Sequence, residues 1–306
     1  MENDLSLTVI ILTYNEEKHI QRCIQSVQGV TANIVVVDSF STDRTVEIAE
    51  SEGATVCQHE FINQAAQLKW AFENLPIDTK WVMRLDADEI VTVLLAKEMV
   101  NALAQVDSAV SGFIVNLCIQ FKGQPIRHGG QYLKLLRIWR NGSARIELSW
   151  MDEHMILTSG HAVSLRHEII DNNLNNISWW TDKHNRYATR EAIVLLDKKY
   201  GFFKHHLTTD CLVGQARLKR WLKDKVYIHL PLGWRALFFF IYRLIFRMGF
   251  LDGKLGVAFH FLQGFWYRFL VDMKIREVEL LMKKEGIDCV EAIRREFSVD
   301  PFFDAS

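Results

Sequence analysis

Paired cysteines are missing from this chain of 306 residues. Its five cysteines, Cys23, Cys57, Cys118, Cys211 and Cys289, are odd in number, scattered, and never spaced C-x-x-C. That excludes a disulfide framework or a zinc ribbon as the organising feature and suits a reducing compartment. An excess of either charge is missing too. Lys and Arg number 36 against 37 Asp and Glu, a formal net charge of −1, which argues against general nucleic-acid binding. No G-x-G-x-x-G or P-loop is present, so no Gly-rich turn cradles phosphates. The acidic Met-Glu-Asn-Asp start leads into a short apolar run, Leu7–Leu12, with no signal peptide, and a cytoplasmic location is the expectation. Long membrane-spanning runs are absent as well. Ala236–Phe246 is too short and carries Arg243, and Leu255–Val271 is interrupted by His260, Gln263 and Arg268.

What the chain does have is apolar material, 49% of its residues, enough for a large α/β domain with an appendage. Leu7–Leu12, Ile34–Val37, Ala54–Cys57 and Trp81–Leu85 read as strands buried on both faces of a parallel sheet. Between them, Asn15 is expected to cap a helix carrying Ile20, Cys23, Ile24 and Val27 inward. Ser41 or Thr42 is expected to cap a second helix closed by Gly53, and Asn63–Asn74 reads as a third. Such alternation predicts a doubly wound α/β domain. Val93–Gln105 and Ser178–Tyr200 read as further helices, and Gly112–Phe121 and Tyr132–Arg140 as strands.

Ligands of an open parallel sheet bind beyond the carboxyl ends of its strands. Here those ends carry Thr13-Tyr14-Asn15-Glu16, Asp38-Ser39-Phe40-Ser41-Thr42-Asp43 and Asp86-Ala87-Asp88-Glu89. With no phosphate loop, a divalent ion is the remaining way to hold a diphosphate beside carboxylates, and hard oxygen donors favour Mg²⁺ or Mn²⁺. Asp86 and Asp88 leave a buried strand at alternate positions and suit that task. In Thr181-Asp-Lys-His-Asn-Arg-Tyr187, the side chains of Lys183, His184 and Arg186 can neutralise a diphosphate, or the segment is an exposed helix start.

Val9-Ile-Ile-Leu-Thr-Tyr-Asn-Glu16, Val35-Val-Val-Asp-Ser-Phe-Ser-Thr-Asp43 and Leu85-Asp-Ala-Asp-Glu89 resemble the signature blocks of family-2 inverting glycosyltransferases with the GT-A fold. The resemblance covers about the first ninety residues, in the family's order and spacing. It implies a Rossmann-like, mostly parallel sheet flanked by helices. It also implies that Thr13, Tyr14, Asn15 and Glu16 line a nucleoside pocket, that Asp38 holds the base with Asp43 nearby, and that Asp86 and Asp88 meet the metal and the ribose-diphosphate. The usual Asp-Asp-Gly-Ser run is here Asp38-Ser39-Phe40-Ser41, which leaves base recognition open. An inverting transfer needs a general base. In the family an acid near the end of the catalytic domain serves, and Trp150-Met-Asp-Glu-His154 offers Glu153, narrowly preferred, or Asp152, with His154 as an additional metal ligand or as a group that orients the carboxylate.

The C-terminal third is rich in Phe, Trp and Arg, including the basic stretch from Arg217 through Arg220 to Lys225. Aromatics flanked by arginines are the composition of interfacial membrane anchors. Phe250-Leu-Asp-Gly-Lys-Leu-Gly256 resembles the central turn of the tail found in bacterial lipopolysaccharide-core and surface-polysaccharide enzymes of the same family. The expected organisation is a catalytic domain over residues 1–215 and a helical, membrane-associating tail over 216–306. The expected activity is metal-dependent transfer from a nucleotide-diphosphate sugar, by family habit a UDP-sugar, to a lipid-linked saccharide. The expected place is the inner face of the cytoplasmic membrane, and nothing in the sequence fixes the oligomeric state. A sugar nucleotidyltransferase would show a basic, Gly-rich loop after the first strand, which is absent, and a non-catalytic scaffold would not need Asp86-x-Asp88.

Overall fold

The computed structural model describes residues 6–146, 155–203 and 231–302. The chain divides into two compact units, Met1–Leu174 and Asn175–Ser306. The sequence reading put its boundary near residue 215, a position outside the described residues.

The first unit is built on one nine-stranded sheet. Its strands are β1 (Leu7–Thr13), β2 (Asn33–Asp38), β3 (Thr55–Gln58), β4 (Trp81–Asp86), β5 (Glu89–Val91), β6 (Val110–Phe121), β7 (Gln124–Ile126), β8 (Leu133–Arg140) and β11 (His161–Asn172). They lie in the order β3-β2-β1-β4-β8-β6-β11-β5, with β7 beside β6. A short antiparallel pair, β9 (Ala144–Ile146) and β10 (Met155–Leu157), stands apart. The strands β3, β2, β1 and β4 are mutually parallel, and the other half is mixed. This is the expected Rossmann-like α/β arrangement. With β2 on one side of β1 and β4 on the other, the order reverses at β1, which opens a crevice beyond its carboxyl end.

Period-two alternation sorts the central strands between two cores. Leu7, Val9 and Ile11 of β1 pack with α1 (Ile20–Val27), α2 (Thr45–Ser51) and α4 (Val93–Gln105) through Ile20, Ile24, Ala49, Leu95 and Met99. Ile10, Val37 and Val82 face the other way, onto Leu68 and Ala71 of α3 (Gln64–Asn74). Burial on both faces is why these strands read as unbroken apolar runs. Asn63 caps α3 by accepting from Ala66 N at 2.8 Å.

The second unit is helical. Helix α5 (Ile177–Tyr200) starts at the cap Asn176 and ends at Gly201, whose φ of 68° is the left-handed closing turn that glycine adopts readily. After the undescribed stretch come α6 (Trp234–Ile241), a π-turn (Tyr242–Phe246), a 3₁₀ turn (Gly249–Asp252), α7 (Gly253–His260), a second π-turn (Phe261–Trp266), α8 (Tyr267–Glu285) and α9 (Cys289–Phe297). Ala192, Leu196, Val271, Ile275, Val278 and Ile293 form its core. Among the described residues, no helix is long and apolar enough to cross a membrane.

Candidate active site

The loops leaving β1 and β2 are tied together by side chain–backbone hydrogen bonds. Asn15 N donates to Ser41 Oγ at 2.8 Å, and Asn15 Oδ1 accepts from Thr42 N at 2.8 Å. Glu16 N donates to Thr45 Oγ1 at 2.7 Å, and Glu17 N to Asp43 Oδ2 at 3.1 Å. Asn15 therefore does not cap α1. It sits in the left-handed region (φ 55°) and straps one loop to the other, while α1 begins only at Ile20. Likewise α2 starts at Thr45, not at Ser41 or Thr42, because both of those residues serve the strap.

Asp38 is fully buried, and its carboxylate is occupied by the chain itself. Thr13 Oγ1 donates to Oδ1 at 3.0 Å, Ser41 N to Oδ2 at 2.8 Å, and the Ser41 hydroxyl also donates to Oδ1. These bonds fix the loop that carries Ser39 and Phe40. Phe40 adopts φ 58° and is 54% exposed, and Tyr14 on the neighbouring loop is 58% exposed. A bulky residue with positive φ costs about 1 kcal/mol that glycine avoids, and this ring returns little of it through burial. Phe40→Gly is expected to raise stability by about 0.5–1 kcal/mol, read as a higher urea midpoint at an unchanged slope.

Glu16 is oriented by a histidine. Leu174 N donates to His19 Nε2 at 2.9 Å, so the buried ring carries its proton on Nδ1 and donates it to Glu16 Oε2 at 2.6 Å. The strand that precedes Leu174 also braces the acidic turn after β4. Asn172 N donates to the Asp88 carbonyl at 3.1 Å, and Asn173 Nδ2 to Asp88 Oδ2 at 3.0 Å. Arg22 reaches the carbonyl of Asn172.

Asp86 and Asp88 emerge together but in different company. Arg84 Nη2 lies 3.3 Å from Asp86 Oδ1, and Arg137 Nη2 lies 3.7 Å from Asp86 Oδ2. Arg137 also pairs with the buried Glu89, which accepts from Asp86 N at 3.0 Å. Burial pushes the Glu89 carboxyl well above its ordinary range, against the pull of Arg137, and the nearby Asp86 adds to the push. Burial likewise holds the Cys23 thiol up, with Glu89, Asp88 and Asp86 reinforcing it, so it stays a neutral thiol and no nucleophile. Asp88 is half-buried and takes one side-chain hydrogen bond, from Asn173, which leaves it acceptor capacity.

Sequence reasoning missed Arg84, Arg137, Arg22, His19 and Asn173. Arg84 had a readable signal, since an arginine inside the apolar strand Trp-Val-Met-Arg-Leu-Asp must be paired when buried. The partners of the others are remote in sequence. Among the described residues, no three His, Cys, Asp or Glu side chains gather as a metal cage. Two hard carboxylates instead fit the magnesium-like mode, in which one or two protein oxygens hold the ion and substrate phosphates and water complete its shell. Asp152, Glu153 and His154 lie outside the described residues.

Lys183 and Arg186 lie on α5 in the second unit. Lys183 Nζ sits 4.9 Å from the centroid of the Trp179 ring, and Arg186 is exposed. His184 stacks on Trp180 at 3.5 Å and donates Nδ1–H to the Trp180 carbonyl at 2.8 Å. Burial chiefly, with Lys183 adding, lowers its pKa to about 4, so it is neutral at pH 7 and brings no charge to a diphosphate. The unfolded imidazole takes its proton near 6.5 whereas the folded one refuses it down to about 4, so acid between those values removes stability. His184→Phe is expected to flatten the fall in Tm across that window, measured in matched buffers.

Residues 8–174 match the model of the family described as Glycosyl transferase family 2. Over 118 residues the chain is 33% identical to an uncharacterized glycosyltransferase of Rickettsia typhi, covering 38% of this chain and 40% of that protein. Four more Rickettsia relatives are matched over only 31–32% of their length. The lipopolysaccharide core biosynthesis glycosyltransferase LpsC of Rhizobium meliloti is 26% identical over 296 residues, 93% of this chain and 97% of that protein. Among solved structures, the mannosyltransferase PcManGT of Pyrobaculum calidifontis, in complex with GDP-Man and Mn²⁺, is 15% identical with a TM-score of 0.44. That match covers 92% of this chain and 88% of that one.

Proposed function

The chain belongs to glycosyl transferase family 2, and on that premise we propose that it moves a sugar, with inversion, from a nucleotide-diphosphate sugar to a lipid-linked saccharide. The donor is a UDP-sugar in this reading, and the setting is bacterial lipopolysaccharide or surface-polysaccharide synthesis at the inner face of the cytoplasmic membrane. The near full-length likeness to LpsC supports the acceptor class. The observation that carries the reading is the convergence of three polar strand ends on one crevice, with Asp86-x-Asp88 closing it.

In this reading the strapped loops of Tyr14–Glu16 and Ser39–Asp43 hold the nucleoside, and Asp38 keeps the second loop in place from below. Asp88, with Asp86, holds Mg²⁺ or Mn²⁺, which when bound neutralises charge on the leaving diphosphate. Arg84 and Arg137 position Asp86, and Asn173 positions Asp88. Glu153 or Asp152 takes the proton of the acceptor hydroxyl as its oxygen attacks the anomeric carbon and the bond to the diphosphate breaks. Lys183 and Arg186 are retained as candidates for charge on the donor or acceptor phosphates.

The test is a panel of UDP-, GDP- and dTDP-sugars incubated with the full chain, with and without Mn²⁺ or Mg²⁺. Slow, metal-dependent release of one nucleoside diphosphate supports the reading and identifies the donor. Failure to bind any nucleoside diphosphate under either metal rejects it. Release of pyrophosphate from a nucleoside triphosphate and a sugar phosphate would mark a nucleotidyltransferase instead.

A further inference from the structure

The stretch from Trp234 to Phe269 is folded inside out relative to a water-soluble helical pair. Most of its buried side chains are polar or minimal: Arg235, Arg243, Asp252 and His260, with Ala236, Gly249, Gly256 and Gly264, beside the two buried aromatics Phe259 and Tyr267. Its exposed side chains, Arg247 and Lys254 aside, are mostly large and apolar. Trp234, Phe238, Tyr242, Ile245 and Phe246 run down one limb at helical spacing, and Phe250, Leu251, Leu255, Phe261 and Phe269 run along the other, with Met248 between them. Phe246 is 72% exposed.

The interior holds a polar relay. Arg243 donates to His260 Nδ1 at 3.1 Å, and His260 Nε2 then donates to Asp252 Oδ2 at 3.3 Å, so a neutral imidazole links a cation to an anion. At the base of the limbs Arg235 pairs with the buried Asp272, which also accepts from Gly233 N. The glycines make room for this relay. A Cβ at Gly249 would stand 2.6 Å from the His260 ring, and one at Gly256 would stand 2.2 Å from Asp252 Cβ. Polar bonds and small residues between helices, with apolar side chains outward, is the arrangement hydrocarbon selects, because lipid offers no drive to bury apolar surface and a high cost for unpaired charge.

The outward charges are of one sign. Between Trp234 and Phe269 the single acid is the buried Asp252, whereas Arg247 and Lys254 are exposed. Trp234–Ile241 and Tyr242–Phe246, 8 and 5 residues, together rise at most about 20 Å, short of a hydrocarbon core of about 30 Å.

We propose that this hairpin is a monotopic membrane element, embedded in one leaflet without crossing it, with its outer aromatic stripes among the acyl chains and Arg247 and Lys254 at anionic headgroups. The inference deepens the membrane part of the proposed function and is independent of which sugar is moved. Embedding differs from adsorption by charge, since the acyl chains themselves are reached.

The test is flotation of the full chain with vesicles of phosphatidylethanolamine and phosphatidylglycerol (3:1). Acyl-brominated lipids are added as quenchers of tryptophan fluorescence. The expected result is co-flotation that survives 1 M NaCl, and quenching whose Trp234 share disappears in Trp234→Phe. In Phe246→Glu with Leu251→Glu, both at exposed positions, the partition constant is expected to fall about 10- to 100-fold. Three outcomes overturn the proposal: a chain that stays unbound as a monomer, binding that salt releases with no acyl quenching, or a soluble dimer abolished by the double substitution. Titration of the same preparations with UDP and Mn²⁺ reads the transferase site separately, so failure there and failure here are told apart.

Discussion

Asp88→Asn is expected to lower donor turnover by at least about a thousandfold while moving Tm by no more than about 2 °C. The asymmetry follows from what surrounds the two aspartates. Asp86 lies between the guanidinium groups of Arg84 and Arg137, so much of its charge is answered inside the protein. Asp88 takes an amide hydrogen bond from Asn173 and is only half-buried. An asparagine keeps an oxygen for Asn173 and so preserves the brace, but it removes the charge on which a bound divalent ion would depend. Turnover on the donor found in the panel and Tm by scanning fluorimetry separate the two effects. Activity within tenfold of wild type would remove Asp88 from the charge-handling role.

Arg137→Ala is the counterpart on the stability side, with an expected loss of about 3–5 kcal/mol. Its side chain is 7% exposed and pairs with Glu89 at 2%. Truncation leaves Glu89 and, beside it, Asp86 without that cation in a place where water cannot replace it. For a unit of this size the loss corresponds to a fall in Tm of roughly 10 °C. Arg137→Met combined with Glu89→Leu is expected to recover most of it, since removing both charges also removes both desolvation costs. A loss below about 1 kcal/mol for Arg137→Ala would instead mean that Glu89 holds a proton and needs no partner. That is the direction in which burial drives it.

In the first unit, what can be read from residue order depends on how far away each residue's partners lie. Strands β1, β2 and β4 were legible because a strand covered on both faces has no polar alternation to obscure it, and each ends abruptly in Thr13, Asp38 or Asp86. Asn63 was legible as a start signal because its cap reaches only three residues ahead. Asn15 carries the same chemistry, but its partner Thr42 lies 27 residues away, and the competing long-range bond took it out of the cap. Strand β11 escaped notice for a related reason. Half-buried and charged along its length, it becomes a strand through pairing with β6 and β5, and only that pairing delivers Asn172–Leu174 to the turn of Asp88 and to His19.

The same division holds in the second unit. Composition shows that residues 234–269 are aromatic and sparingly basic, with apolar runs too short or too interrupted to span a bilayer, and no packing is needed to know it. Which of them turn inward cannot follow from hydrophobicity, since here hydrophobicity predicts the reverse. Gly249 and Gly256 let Arg243, His260 and Asp252 meet, and with those charges inside, Phe238, Phe246, Phe250, Phe261 and Phe269 are left exposed. The kinds of chemistry available at the strand ends are thus a property of local sequence, because strand termini and metal-suited acids are short-range patterns. The partners that tune each acid, and the face each helix shows, belong to tertiary structure, because buried charges are neutralised by groups the chain brings from far away.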